Sequence, residues 1–298
     1  MESVGQATPR VESRPAGGRA GTVGASLRAV YIIWYRDVLR YFRDRFRLVA
    51  SLAQPLLYLV IFGTGLSSAL RGTGAGGFGQ GAGSIQYVQY LYGGVIGMSV
   101  LFVAIFSAMS IVWDREFGFL KEILVAPINR SAVAIGKTLG GATQAMIQGL
   151  ILLVLAPVAG VRLTVESVLL LVPAVFLVAF ALTSMGVALA ARMKSMQGFQ
   201  GVMNFLMMPM FFLSGALFPL NNLPGWLFVL TRLDPMAYGV DVLRRVVLMG
   251  SGLPPAFVDR LGMTVNGTVI SPWIEVGVVA AFGLAMLGIA IASFRVRD

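Results

Sequence analysis

Apolar and polar residues along this chain sort into six long apolar stretches separated by shorter polar segments. A helix crossing the ~30 Å hydrocarbon core of a bilayer needs about 20 predominantly apolar residues. On that criterion the spans run from about Leu48 to Leu66, Val88 to Val112, Gly136 to Ala159, Val168 to Ala191, Phe199 to Leu220 and Trp273 to Phe294. Ahead of them, Met1 to about Ala25 is rich in Gly, Ser, Ala, Arg and Pro and lacks an apolar core. That predicts a disordered tail over 1–25 with no signal-peptide h-region. Residues 26–298 then form one all-α membrane domain.

Four connecting pieces break the pattern. Tyr31 to Arg47 is amphipathic: Arg36, Arg40, Arg43 and Arg47 share one helical face, and Tyr31, Tyr35, Val38, Phe42 and Phe46 form an apolar stripe beside it. Such a helix lies along a membrane surface with its arginines toward anionic headgroups. It serves either as an elbow beside a partner's docking site or as a passive anchor. Between the first two spans, the Gly-rich stretch from Gly72 to Ser84 has the composition of a flexible linker. A dense polar island, Trp113 to Arg130, separates the second and third spans and carries Arg115, Glu116, Lys121 and Glu122. Its Arg115–Leu124 part forms one short helix closed by Pro127, either a knob for a groove on a soluble partner or an ordinary loop. Finally, Asn221 to Ser271 holds two apolar segments too short to span, broken at Asp234–Pro235. With Asp241, Arg244 and Arg245 in the second, they read as re-entrant or interfacial outer helices.

Composition supports the membrane reading. The chain of 298 residues is 57% hydrophobic and 12% charged, against roughly 25% charged in soluble domains, and its mean hydropathy is +0.82. There is no Cys and no His, which excludes disulfides and the usual thiolate and imidazole metal ligands. The net charge of +10 reflects topology rather than nucleic-acid binding, because the basic residues flank apolar spans. Most Lys and Arg fall in the N-terminal region, the island, the segment after the fourth span and the C-terminal end. Both termini are therefore expected in the cytoplasm.

Candidate chemistry is sparse. Ser131 to Thr138 is a near miss to a P-loop that lacks the first Gly and enters a span, so nucleotide binding is not expected there. All 13 Asp and Glu fall in loops, tails or span ends by these boundaries, which argues against a proton-coupled carrier or an intramembrane enzyme. Gln144 and Gln148 share one face of the third span and either bond across helices or line a path. Met203, Met207 and Phe211 make the fifth span soft and aromatic, as a substrate wall or as ordinary packing. Gly93-x-x-x-Gly97 and Gly136-x-x-x-Gly140 permit close helix approach.

The run Arg115-Glu116-Phe117-Gly118-Phe119-Leu120-Lys121-Glu122-Ile123-Leu124-Val125-Ala126-Pro127, followed by Gly136-Lys137, resembles the cytoplasmic signature of ABC-2 type transporter permeases. Phe119 stands where that family commonly has Thr. Leu213 to Leu220, Leu223-Pro224-Gly225-Trp226 and Asp234 to Arg244 resemble its fifth-span end and outer segment, and the chain is most similar to the daunorubicin-resistance type. The resemblance implies a type V exporter-like permease: six spans, a connecting helix bearing Arg36, Arg40, Arg43 and Arg47, and a coupling helix involving Arg115, Glu116, Phe117, Gly118, Leu120, Glu122 and Pro127. It also implies a second permease copy or relative and two copies of an ABC ATP-binding subunit. That partner would hold ATP and Mg, leaving this chain without a cofactor or catalytic site. The expected function is ATP-driven export of a hydrophobic or amphipathic substrate (drug, lipid or lipid-linked glycan) across a prokaryotic plasma membrane. The alternative is a stand-alone secondary carrier or channel that works without an ATPase.

Overall fold

The structure is a computed structural model that describes residues 23–66, 87–117, 129–218, 220, 223–252, 258, 261–265 and 268–295. Among these residues it is nearly all helical. The helices are α1 (Val23–Arg43), α2 (Arg45–Val60), α3 (Tyr87–Glu116), α4 (Arg130–Leu155), α5 (Val165–Ala190), α6 (Met196–Leu213), α7 (Gly225–Leu233), α8 (Pro235–Gly250) and α9 (Pro272–Arg295). A π-helical turn, Ile61–Leu66, extends α2. A two-residue antiparallel pairing, β1 (Thr264–Val265) with β2 (Thr268–Val269), precedes α9. The Gly-rich linker, residues 118–128 of the island and most of the tail lie outside the described residues. Helix α1 begins at Val23, inside the stretch read as tail.

Four helices, α3, α4, α5 and α9, are long and apolar enough to cross a membrane, and a fifth span results if α1 and α2, which meet at 71°, are taken together. The expected fifth span is the 18-residue α6. It stops at Ser214 because Gly215 adopts φ +70°, a left-handed turn that ends a helix. Helix α4 starts six residues before its apolar run because Asn129 caps it, accepting a hydrogen bond from the Ser131 N–H. A cap decides where a helix starts, and apolarity decides only which part of it avoids water.

Helix α3 is the axis of the bundle and packs against α4, α5 and α8, while α5 also receives α9. Lipid is as apolar as a side chain, so such helices associate through close packing rather than through exclusion of water. Both Gly-x-x-x-Gly spacings provide it. A Cβ on Gly93 would stand 2.6 Å from the Arg244 Cα, and one on Gly97 2.7 Å from Val240, so this pair seats α8. On α4, Gly136 and Gly140 seat α1, where an added Cβ would meet Ile33 at 2.9 Å and Asp37 at 3.1 Å.

The break at Asp234 separates α7 from α8 as expected, with the Asp234 carboxylate accepting from the Met236 N–H at 3.0 Å. Helix α8 packs inward. It lies against α3, α5 and α9, with Asp241, Arg244 and Arg245 at most 2% exposed.

Candidate functional site

Helix α1 docks on α4 through Ala29, Ile33, Asp37 and Tyr41, one residue per turn along a single face. Three of these are the apolar or aromatic contacts expected of an amphipathic helix, and the fourth is a carboxylate. The aromatic stripe read from sequence points outward instead: Tyr31, Tyr35, Phe42 and Phe46 are all more than half exposed. The chain turns at Asp44, a residue type favoured at helix starts, and Arg47 therefore belongs to α2 rather than to the face of Arg36, Arg40 and Arg43.

Asp37 meets a buried lysine. The Lys137 ammonium, on a side chain 3% exposed, lies 3.2 Å from an Asp37 carboxylate oxygen and 3.0 Å from Asp114 on α3. It also donates to the Ser110 hydroxyl at 3.1 Å. Arg36, half exposed, adds longer contacts to Asp37 at 3.4 Å and Asp114 at 3.5 Å. Lys137 lies two turns inside α4 and ties α1, α3 and α4 together. Two opposed carboxylates compensate a desolvated cation there, and without them its burial would be prohibitive. Sequence reading does not pair Asp37 with Lys137 because the two lie a hundred positions apart in the chain. The available signal was an acid, Asp37, placed inside an otherwise basic and apolar helix.

Immediately after Asp114 on α3, two adjacent charges reach two helix ends. Arg115 donates to the carbonyl of Ala191 at 2.9 Å and to that of Met193, just past the C-terminus of α5. Glu116 accepts from the Met196 N–H at 3.1 Å, at the N-terminus of α6, where the Ser195 hydroxyl also accepts from the Gly198 N–H. A cation meets the negative end of one helix dipole and an anion the positive end of the next. The Arg-Glu pair therefore fixes the α5–α6 turn to the end of α3. Phe117 and Trp113 beside it are exposed, at 67% and 43%. Gly118, Leu120, Glu122 and Pro127 lie outside the described residues.

The two glutamines stitch α4 to the elbow. Gln144 donates to the Asp37 carbonyl at 3.2 Å. Gln148 donates to the Ser51 carbonyl at 3.1 Å and accepts from the Ser51 hydroxyl at 2.9 Å. Gln144 also lines a cavity of about 450 Å³ enclosed by α1, α2, α3 and α4. Met203, Met207 and Phe211 are buried on the inner face of α6, with Phe211 edge-on to Tyr58 at 5.9 Å. They are not among the residues lining that cavity.

At the opposite end of α3, a second ionic cluster surrounds α8. Arg245 lies 3.0 Å from Asp241 and 3.1 Å from Glu275 of α9. Arg244 donates to the Gly215 carbonyl at 2.7 Å and stacks 4.3 Å over the Tyr90 ring. Asp234, buried at the start of α8, has its pKa pushed up to about 7 by desolvation, partly opposed by the Met236 N–H. Arg232 on α7 is lowered by the same cause.

Several long apolar helices, packed glycine to side chain with their charges paired inward, define a multi-pass membrane protein. The chain belongs to the ABC-2 type transporter family, which it matches over residues 28–248. It is therefore the transmembrane permease subunit of an ABC transporter, a kind of permease that works with ATP-binding subunits. Relatives include the ycf38 transport permease of Cyanophora paradoxa, 26% identical over 73% of each chain. Nodulation protein J of Rhizobium meliloti is 28% identical over 72% of this chain and 80% of its own. The ycf38 permease of Porphyra purpurea is 27% identical over 71% of each.

Proposed function

We propose that this permease exports a hydrophobic or amphipathic substrate from the cytoplasm, as a permease of the daunorubicin-resistance type does. Two copies of an ABC ATP-binding subunit drive it from the end of the bundle that holds Arg115 and Lys137, and a second permease copy or relative completes the unit. In this reading the termini are cytoplasmic, the membrane is a prokaryotic plasma membrane, and ATP and Mg belong to the partner. The chain itself supplies no catalytic group.

The observation that carries the reading is the placement of Arg115 and Glu116. A partner that moves the segment following Phe117 displaces α3, and through these two side chains the facing ends of α5 and α6. The Lys137 cluster extends the same displacement to α1 and α4. ATP binding then biases a gate between discrete states, and hydrolysis resets it.

The test is purification of the tagged permease from its native membrane in mild detergent. An ABC ATPase should co-purify in near-equal amount and hydrolyse ATP faster with the permease than without it. Glu116→Ala should keep the ATPase bound yet lose that stimulation, along with ATP-dependent uptake of an amphipathic dye into inverted vesicles. Loss of the ATPase from the variant would make Glu116 a partner contact. Absence of any ABC ATPase under several detergents would sink the reading in favour of a stand-alone carrier.

A further inference from the structure

The cavity between α1, α2, α3 and α4 is lined by charged, polar and apolar side chains, with apolar surface predominating. Its wall includes Met98, Phe102, Phe106 and Met109 of α3, and its volume of about 450 Å³ lies within the ~300–1,000 Å³ typical of small-molecule sites. Three charged side chains line it: Asp37, Arg40 and Asp44. Asp37 is neutralised by Lys137, and Asp44 already has a partner. Arg40 differs. It is exposed, its guanidinium stands 5.6 Å over the Trp113 ring, and no carboxylate of the described residues forms an ion pair with it. A cation so placed, stacked on an aromatic face at the edge of an apolar chamber, is suited to an anionic head attached to an apolar tail.

The chamber continues along α2. A second, shallower hollow shares Ala50 and Gln54 with it and runs past Leu57 and Tyr58 to Ile61 and Phe62. Twelve residues of helix rise about 18 Å, close to the ~15 Å half-thickness of a bilayer's hydrocarbon core. A single acyl chain laid in this groove would therefore follow α2 through about one leaflet, with its head at Arg40.

We propose that this groove binds a single-chain anionic amphiphile, a lysophospholipid or fatty-acid-like molecule drawn from the leaflet against which α1 lies. Arg40 holds the head and the α2–α3 wall holds the tail. The site lies within one copy of the chain, and binding requires neither ATP nor a partner, so it stands or falls separately from export.

Native mass spectrometry of the delipidated permease tests it, with lysophosphatidylglycerol and lysophosphatidylcholine of the same chain as probes. One arginine near a membrane surface contributes a factor of about five in favour of an anion, so the glycerol head should bind about five-fold tighter. Arg40→Gln should level the two, whereas Arg43→Gln, on the same helix but off the groove, should leave the preference intact. Ala50→Phe, at the junction of the two hollows on an exposed position, should abolish both affinities without altering thermal unfolding. Excess inorganic phosphate should displace neither lipid. Equal affinity for the two heads in the unaltered protein, retention of lipid by Ala50→Phe, loss of preference in Arg43→Gln, or displacement by phosphate would each overturn the proposal.

Discussion

Lys137 and Asp234 are both buried ionisable side chains, and they lead to opposite expectations. Lys137 is held by two carboxylates, and removing it leaves Asp37 and Asp114 with only their longer contacts to half-exposed Arg36. Breaking a buried pair from one side costs about 3–5 kcal/mol. Lys137→Met should therefore unfold at markedly lower temperature in detergent, and adding Asp37→Asn should recover part of the loss; a Lys137→Met protein of unchanged stability would show the cluster to be dispensable. Asp234 has no compensating cation within ion-pair reach among the described residues, and its pKa is raised to about 7 from an unfolded value near ~3.9. Between those values the folded state binds more protons than the unfolded chain. The contribution is thus fully present below about pH 4 and is lost as pH rises toward 7. Asp234→Asn keeps an acceptor for the Met236 N–H and removes the titration. It should be more stable than the parent at pH 8, by about 2–4 kcal/mol, with the difference vanishing near pH 4. Parallel stability curves for the two proteins would contradict the raised pKa.

At the scale of elements, glycines set what lies next to what. Gly136 and Gly140 bring α1 onto α4 closely enough for Asp37 to reach Lys137. A larger side chain there would lift the whole elbow rather than fill a void. Gly136→Leu should expose α1 to limited proteolysis and lower thermal stability by about 1–3 kcal/mol. Gly201→Ala, where an added Cβ meets nothing within 4 Å, should be neutral or stabilising by up to ~1 kcal/mol; equal behaviour of the two variants would dissociate α1 docking from the glycine. These elements also explain what sequence reading reached. The apolar runs at 88–112, 168–191 and 273–294 coincide with helices because a span must satisfy its own backbone, so a local pattern suffices. Arg115 and Glu116 stood out because they are contiguous in a chain otherwise poor in charge. The Asp37–Asp114–Lys137 cluster and the inward seat of α8 were invisible because each depends on residues from distant helices. A charge that is costly when alone reads as peripheral until its partner is known.

In the whole molecule, α3 is a rod of 30 residues, about 45 Å long. One end is locked into Lys137 and the α5–α6 turn, and the other lies against α8. Tyr90 carries the Arg244 guanidinium on its ring, and Gly93 and Gly94 leave no room beneath the Arg244 and Ala216 backbones. A packed rod cannot bend locally, so a displacement imposed at the Arg115 end has to appear at the Gly215 turn, where Arg244 holds the close of α6. The cluster there also has a consequence in time. Two arginines and Asp241 emerge from the ribosome before Glu275 exists, so a nascent chain inserted only as far as α8 carries an unbalanced positive charge. The last helix brings the carboxyl group that pairs with Arg245 as it enters. A chain stopped after Val269, or one carrying Glu275→Gln, should be cleared by membrane quality-control proteases several-fold faster than the full protein in a pulse–chase experiment. Equal half-lives would mean that the charge is settled before synthesis ends. Completion of the charge would otherwise serve the cell as a proofreading mark, by which a finished permease is told from an abandoned one.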